Sequence, residues 1–119
     1  MGSIRIKRIY EEAEPADGYR VLVDRLWPRG IKKEDAHIDL WLKDVGPSDG
    51  LRKEFGHDPE KFDDFAQAYR KELRQSDAVQ VLIDAAGKHD RMTLLFGAKD
   101  KEHNQAAVLN EYLIAKLRS

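Results

Sequence analysis

The sequence predicts an α/β fold in which a small, largely parallel sheet carries helices on both faces, as a three-layer sandwich. Residues 21–23 (VLV) and 92–96 (MTLLF) are apolar runs of the kind that form strands buried on both faces. Each run is followed by a polar loop and then by residues with helical spacing, which is the order found in parallel α/β sheets. We therefore expect the two strands to be parallel neighbours whose outgoing loops meet at one edge of the sheet.

The N-terminal segment from Ile4 to Ile9 alternates apolar and basic residues. This pattern is typical of a strand with one face in water, and it favours a position near the edge of the sheet. The connector that follows contains Pro15, Asp17 and Gly18 and is rich in turn residues. It is near the lower limit for a parallel crossover and longer than a tight hairpin, so the direction of this first strand stays open.

Apolar residues recur at helical spacing in five further segments, which predicts five amphipathic helices. Ser48 is a suitable N-cap for a short helix, and Asp58 with Pro59 marks the start of a long one. The predicted buried stripes are Ile38, Trp41, Leu42 and Val45; Leu51 and Phe55; Phe62, Phe65, Ala66, Tyr69 and Leu73; Val79, Leu82, Ile83 and Ala86; and Ala106, Leu109, Tyr112, Leu113 and Leu117.

The first buried strand leads directly into a loop of charged and conformationally restricted residues. Pro28 has a fixed φ and biases the preceding residue away from helix, and Gly30 permits turns that other residues resist. Charged side chains on such a stiff loop, at the end of a buried strand, lie where open α/β sheets bind ligands. The candidate site residues from this loop are Asp24, Arg25, Trp27 and Arg29.

The loop after the second buried strand supplies the other half of the predicted site, with Lys99, Asp100 and Asn104 as candidate ligand-binding residues. If the strands are parallel, the two loops share an edge, where arginine side chains can bind an anion through paired hydrogen bonds. We interpret Asp24 and His103 as the candidate catalytic residues, because Asp24 can orient the arginines or act as a base and His103 can transfer a proton.

Each of these residues also has a purely structural explanation. Asp24 can cap a turn, Arg25 and Arg29 can be solvated surface residues, and Trp27 can fill the core. His103, near the start of a predicted helix, can be a capping or surface residue. The sequence therefore locates a candidate site and leaves open whether that site is catalytic.

Composition limits the function further. At 119 residues the chain has the length of one domain, which we expect to span residues 1–119. The 21 basic and 22 acidic residues give a formal net charge of -1, so binding to a polyanion would require a local basic patch. The sequence has no Cys, which excludes disulfides, thiolate nucleophiles and Cys-type zinc sites and favours a cytoplasmic location.

Several function classes lack their motifs. Neither Gly-x-Gly-x-x-Gly nor Walker A occurs, so no cofactor is expected, and the four histidines have no metal-ligand spacing, so no metal is expected. The basic residues do not alternate with exposed aromatic residues as in single-strand binders, so nucleic-acid binding is not expected. No apolar run approaches the roughly 20 residues that span a bilayer, so we expect a soluble protein without a membrane segment. The oligomeric state stays open.

Four segments together carry a family resemblance: residues 20–30 (RVLVDRLWPRG); 41–43 (WLK) with Pro47-Ser48 and Leu51-Arg52; 55–59 (FGHDP); and 93–100 (TLLFGAKD) with His103-Asn104. They resemble the bacterial family of unknown function DUF488, in its YeaO-like branch, over nearly the whole chain. The resemblance implies an α/β fold and a shared polar site, and it brings no established reaction.

The larger DUF488 family has an Asp-Val-Arg strand end followed by a proline, which Asp24, Arg25 and Pro28 resemble. A later strand of that family leads to a Cys-His-Arg turn. In this chain Lys99-Asp100 and His103-Asn104 stand in that place without the cysteine and the arginine. The resemblance therefore argues against thiol chemistry in this chain.

Two functions from different classes follow. The first is an enzyme or binding protein for a small anionic ligand, phosphorylated or nucleotide-like, at the sheet edge. The second is a regulatory module without catalytic activity, in which Trp27 and the arginines contact a protein or nucleic-acid partner. A concave recess around Arg25, Arg29 and His103 favours the first function, whereas a protruding Trp27 favours the second.

Overall fold

The computed structural model describes residues 3–118. Those residues form four strands and five α-helices: β1 (Ser3–Arg8), β2 (Tyr19–Leu22), α1 (Lys33–Ala36), β3 (Leu40–Trp41), α2 (Asp49–Phe55), α3 (Phe62–Arg74), α4 (Ala78–Lys88), β4 (Arg91–Phe96) and α5 (Gln105–Arg118). Short 3-10 turns are formed by Pro15–Asp17, Lys43–Val45 and Pro59–Lys61. Within the described range, no helix combines the length and the apolar character needed to cross a membrane.

The four strands form one parallel sheet in the order β1-β4-β2-β3. β2 and β4 are neighbours, with Val21 opposite Leu94 and Leu22 opposite Leu95, which confirms the predicted parallel pairing. β1 lies at one edge and pairs in parallel with β4, so the direction that the sequence left open is now defined. Because β2 and β4 run the same way, the loops that follow them leave from the same edge of the sheet.

The larger hydrophobic core lies on one face of the sheet, between the strands and the helices α2, α3, α4 and α5. Successive side chains of a strand point to opposite faces, and Val21 of β2 and Leu94 of β4 are on this side. Phe65 and Tyr69 of α3 are 3% and 0% exposed, which confirms the predicted buried stripe of this helix. The Tyr69 hydroxyl also donates a hydrogen bond to the carbonyl of Val45 at 2.7 Å.

The opposite face is covered by a thinner layer that includes α1. Leu22 and Leu95 pack there with Ala36 of α1 in a second, smaller cluster. Helices therefore lie on both faces, which confirms the predicted α/β class, but most of the helical mass lies on one side.

A buried carboxylate, Asp17, organises the polar part of this thinner layer. It accepts hydrogen bonds from Arg5 at 2.6 Å, from Lys7 at 3.1 Å and from Arg20. Burial alone would raise the pKa of Asp17, but a backbone hydrogen bond from Glu14 and the bonds from these cations lower it to about 2. The carboxylate therefore stays charged and joins β1, β2 and the connector between them.

The helix predicted for residues 38–45 is wrong. Leu40–Trp41 forms the edge strand β3, and Lys43–Val45 forms a 3-10 turn. The amide of Leu42 donates to the carbonyl of Leu22 at 2.9 Å, which continues the pairing with β2 beyond β3. Trp41 packs against the smaller cluster and Leu42 against the larger one, so side chains of this segment contribute to the cores on both faces of the sheet. Pairing with the open edge of β2 outweighed the local helical pattern.

Two of the predicted helix caps are confirmed. The Ser48 hydroxyl accepts a hydrogen bond from the amide of Leu51 at 3.3 Å in the first turn of α2. Asp58 accepts one from the amide of Glu60 at 3.0 Å, at the 3-10 turn that leads into α3. The first bond caps α2 itself, whereas the second caps the 3-10 turn that precedes α3.

We predict that Phe65→Ala lowers the free energy of unfolding by about 3–5 kcal/mol, because the ring is buried among aromatic neighbours and its loss leaves a cavity. Urea denaturation measures this change. Val81→Ala is the matched control, since Val81 is 44% exposed and its truncation should change stability by less than about 0.5 kcal/mol. Similar unfolding midpoints for the two variants would contradict the packing role of Phe65.

Candidate functional site

The loops after β2 and β4 meet at the C-terminal edge of the sheet, around a recess of about 360 Å³ that we call the edge recess. It is lined by Tyr10, Asp24, Arg25, Leu26, Trp27, Pro28, Arg29, Pro47, Arg52, His57, Gly97, Ala98 and Gln105. Another depression, of about 390 Å³, lies beside α1, where acidic and basic side chains are mixed. The edge recess is the one in which several arginines converge, so we treat it as the candidate site.

Asp24 joins three elements at the edge recess. Its Oδ2 accepts a hydrogen bond from the backbone amide of Gly97 at 2.8 Å, and its Oδ1 accepts one from the side chain of Gln105. Gly97 directly follows β4, and Gln105 begins α5. A Cβ atom on residue 97 would lie 3.0 Å from Oδ2 of Asp24, so glycine permits this close approach.

Burial raises the pKa of Asp24 to about 6, against the hydrogen bonds from Gly97 and Gln105, which lower it. An ionisable group in a recess with a pKa shifted by its surroundings is a candidate for a functional role. The shift also means that Asp24 takes up a proton under mildly acidic conditions. The negative charge in the recess is therefore sensitive to pH.

Arg25 and Arg29 both line the edge recess. Arg25 is partly buried, and its Nε donates to the carbonyl of Pro47 at 2.6 Å. Arg29 has an exposed side chain, and its backbone carbonyl accepts a hydrogen bond from the Tyr10 hydroxyl at 2.8 Å. Gly30 has a φ of 77°, as expected for a turn that favours glycine. In the part of the chain that the structure describes, neither guanidinium forms an ion pair with a carboxylate.

Trp27 packs into the fold and also lines the edge recess. Its Nε1 donates to the carbonyl of Ile31 at 2.6 Å, and its ring packs edge-on against Trp41 with 5.3 Å between the ring centroids. It packs against the smaller core cluster and also lines the edge recess. The indole is thus anchored in the fold and does not protrude from it.

The polar residues of the second loop bond mainly to one another. Asp100 accepts hydrogen bonds from the amides of Glu102 and His103 at 2.9 and 3.0 Å, and its other oxygen lies 2.9 Å from Nδ1 of His103. The backbone amides of His103 and Glu102 lower the pKa of Asp100 to about 2. Asn104 accepts a bond from the amide of Ala107 at 2.9 Å, so it caps α5.

Lys99, Asp100, His103 and Asn104 lie outside the lining of the edge recess. Lys99 is exposed, and His103 places its ring edge-on to Phe62 with 5.1 Å between the centroids. The structure therefore brings together the four candidates of the first loop but does not place the four from the second loop in the same recess.

Arg52, His57 and Gln105 line the edge recess although the sequence did not suggest them. Arg52 lies on α2, with one terminal nitrogen 3.2 Å from Asp49, and its Nε is buried without a hydrogen-bond partner. His57 follows α2 with a φ of 58°. Arg52 and His57 fall within the segments that carry the family resemblance, which was the one signal that could have found them.

The lining of the edge recess is suited to binding an anion. Arg25, Arg29 and Arg52 supply guanidinium groups, which match the geometry of phosphate and carboxylate oxygens. Among residues 3–118, no group of three or more metal-ligating side chains is close enough to hold a metal ion. The lining includes no Ser, Thr or Lys that could serve as a nucleophile. The recess therefore combines three arginines with one carboxylate, that of Asp24.

Comparisons with known proteins agree with the family resemblance. The family model DUF488-N3i, described as the inactive DUF488-N3 subclade, matches residues 3–119. The uncharacterized protein YeaO of Escherichia coli is 43% identical over 111 residues, covering 93% of this chain and 96% of YeaO. The uncharacterized protein Rv3073c of Mycobacterium tuberculosis is 43% identical over 110 residues, covering 92% of each chain. No solved structure matches the chain.

We predict that Asp24→Asn flattens the dependence of stability on pH between about pH 4 and pH 6. The raised pKa of Asp24 means that the folded state holds this proton more tightly than the unfolded state does, so stability falls as pH rises through this window. The Asp24 contribution is roughly 1–3 kcal/mol, because burial raises its pKa from the usual range of a carboxyl group to about 6. The side-chain oxygen of asparagine can still accept the hydrogen bond from Gly97. Its NH2 group can donate to the side-chain oxygen of Gln105 if the amide of Gln105 flips.

Urea denaturation of both proteins at pH 4, 5, 6 and 7 measures this difference. The variant should be as stable as the parent near pH 4 and more stable at pH 7. The lowered pKa of Asp17 acts below about pH 4, outside this range. Parallel curves for parent and variant from pH 4 to pH 7 would show that Asp24 has an ordinary pKa in the folded protein.

Proposed function

The chain belongs to the DUF488 family, in the subclade described as inactive, and from this premise we propose that it binds a small anionic ligand, phosphorylated or nucleotide-like, in the edge recess. The family description favours binding without turnover. The catalytic roles of Asp24 and His103 stay predictions, as do the ligand contacts of Lys99, Asp100 and Asn104. The single domain and the cytoplasmic location also stay predictions.

The observation that carries the proposal is the convergence of Arg25, Arg29 and Arg52 on one recess with a single carboxylate in its lining. That carboxylate, on Asp24, is hydrogen bonded to an amide and a carboxamide and to neither loop arginine. Neighbouring guanidiniums repel one another unless an anion offsets their charge. A phosphate in the edge recess would supply this charge and accept paired hydrogen bonds from the arginines.

Arg52 adds an independent argument. Its side chain is 37% exposed and lines the edge recess, so the exposed end of the guanidinium could donate a hydrogen bond to an anion bound there. Asp49, its carboxylate partner at 3.2 Å, is largely exposed and contributes little to holding the guanidinium.

The alternative function, a regulatory module that contacts a macromolecule through Trp27, has less support. Trp27 is anchored by its bond to Ile31 and by its contact with Trp41, and it forms part of a concave wall. A residue that dominates an interface inserts into the partner, which this geometry does not favour. The recess around Arg25 and Arg29 favours the small-ligand proposal, although His103 does not line it.

We predict that inorganic phosphate stabilises the protein against heat, and that Arg29→Ala removes this effect. At a phosphate concentration about 100 times its Kd, binding should add roughly 2.7 kcal/mol to the free energy of unfolding. Without ligand, Arg29→Ala should be nearly as stable as the parent, because the Arg29 side chain is exposed and its contact with Tyr10 is made by the backbone. Thermal shift and isothermal titration calorimetry measure both effects.

Arg74→Ala is the matched control, because it removes the same charge from an exposed position at the end of α3, away from the edge recess. It should retain the stabilisation by phosphate. Arg29→Lys should bind phosphate more weakly than the parent, since lysine keeps the charge and loses the paired hydrogen bonds. Equal stabilisation of Arg29→Ala and Arg74→Ala by phosphate would rule out the edge recess as the binding site.

A further inference from the structure

Two of the exposed large hydrophobic side chains in the described part of the chain lie at the edge recess. Among residues 3–118, three large hydrophobic side chains are exposed: Tyr10 at 43%, Leu26 at 62% and Val81 at 44%. Tyr10 and Leu26 both line the recess, whereas Val81 lies on α4, away from it. Exposed apolar groups beside a polar site are typical of surfaces that are covered when a ligand binds.

These side chains are part of a larger set of apolar residues that line the recess. The edge recess also contains Pro28, Pro47 and Ala98, together with the ring of Trp27. With the three arginines, this lining makes the recess amphipathic, with groups that favour an anion and groups that favour an apolar body. A volume of about 360 Å³ lies within the range of sites that hold small organic ligands, so the recess has room for more than an inorganic ion.

Tyr10 is held in a defined position at this site. Its hydroxyl donates to the carbonyl of Arg29 at 2.8 Å, and the guanidinium of Arg8 lies 4.4 Å from the centroid of its ring. Arg8 in turn donates from Nε to the carbonyl of Ala98 at 2.9 Å. The aromatic ring and the loop that carries Arg29 are thus fixed relative to each other, and a positioned ring binds a flat partner at low entropic cost.

We propose that the edge recess takes a nucleoside monophosphate, with its phosphate on Arg25, Arg29 and Arg52 and its planar base against Tyr10 and Leu26. This inference rests on the proposed function and specifies the ligand class. The guanidiniums recognise the phosphate oxygens through paired hydrogen bonds. The apolar lining recognises the face of the base, which stacks on aromatic and apolar side chains without requiring one particular base.

The test compares four ligands by isothermal titration calorimetry: adenosine monophosphate, uridine monophosphate, ribose 5-phosphate and inorganic phosphate. Base stacking should make the two nucleotides bind about tenfold or more tightly than ribose 5-phosphate. Ribose 5-phosphate and inorganic phosphate should differ little, because both rely on the arginines. All four should lose binding in Arg29→Ala.

Two surface variants isolate the role of the base. Leu26→Ser should remove most of the preference for nucleotides and leave the affinity for inorganic phosphate unchanged. Val81→Ser is the matched control, since it makes the same kind of surface change on α4 and should keep the preference. Tyr10→Phe keeps the aromatic ring and should retain most of the preference for nucleotides. Tyr10→Ala removes the ring and should reduce that preference.

The outcomes separate this inference from the proposed function. Binding of phosphate with no gain for either nucleotide would overturn the inference and leave the anion site in place. A short phosphoserine peptide, titrated in the same way as a fifth ligand, would also overturn it by binding more tightly than both nucleotides. Binding of none of the phosphate ligands would overturn both proposals. Equal loss of nucleotide preference in Leu26→Ser and Val81→Ser would show that the apolar wall does not contact the base.

Discussion

The candidate site depends on the hydrogen bonds that the carboxylate of Asp24 accepts. By accepting hydrogen bonds from Gly97 and Gln105, it ties the end of β2 to the start of the loop after β4 and to the first residue of α5. Pairing of β2 with β4 aligns the two loops. The short side chain of Asp24 then holds their backbones together by accepting the hydrogen bond from the Gly97 amide. Because residue 97 has no Cβ, the carboxylate approaches the amide closely, and the loop that carries Arg25 and Arg29 starts from a fixed point.

The same carboxylate sets the electrostatic balance of the edge recess. Burial makes its negative charge costly, so its proton affinity rises even though Arg25 lines the same recess. The contrast with Asp17 shows why partners matter more than burial alone: Asp17 is fully buried, but three cations and a backbone amide keep its pKa at about 2. Asp17 is thus part of the scaffold, whereas Asp24 leaves the arginine charge of the recess only partly offset.

The sequence could predict those parts of the fold that local patterns determine. The apolar runs of β2 and β4 identified a parallel pair, and caps such as Ser48 marked helix starts. The helix expected for residues 38–45 does not form, because part of this segment pairs as a strand with the free edge of β2. No local sequence pattern reveals that this edge is available. Arg52 and His57 line the edge recess through the tertiary packing of α2, which contacts α3, so their position there could not be derived from their own neighbours in sequence.

The predicted loop after β4 shows why the chemical signal of a site is ambiguous in sequence. Asp, His and Asn after a buried strand are typical of a binding site, but the same residues also close turns and cap helices. In this loop Asp100 bonds to His103 and Asn104 caps α5, so their hydrogen-bonding groups are used locally. Arg25 and Arg29 differ because no carboxylate of the described residues neutralises them. Charge that the fold leaves uncompensated, at a concave edge with exposed apolar neighbours, is therefore the stronger indication of a ligand.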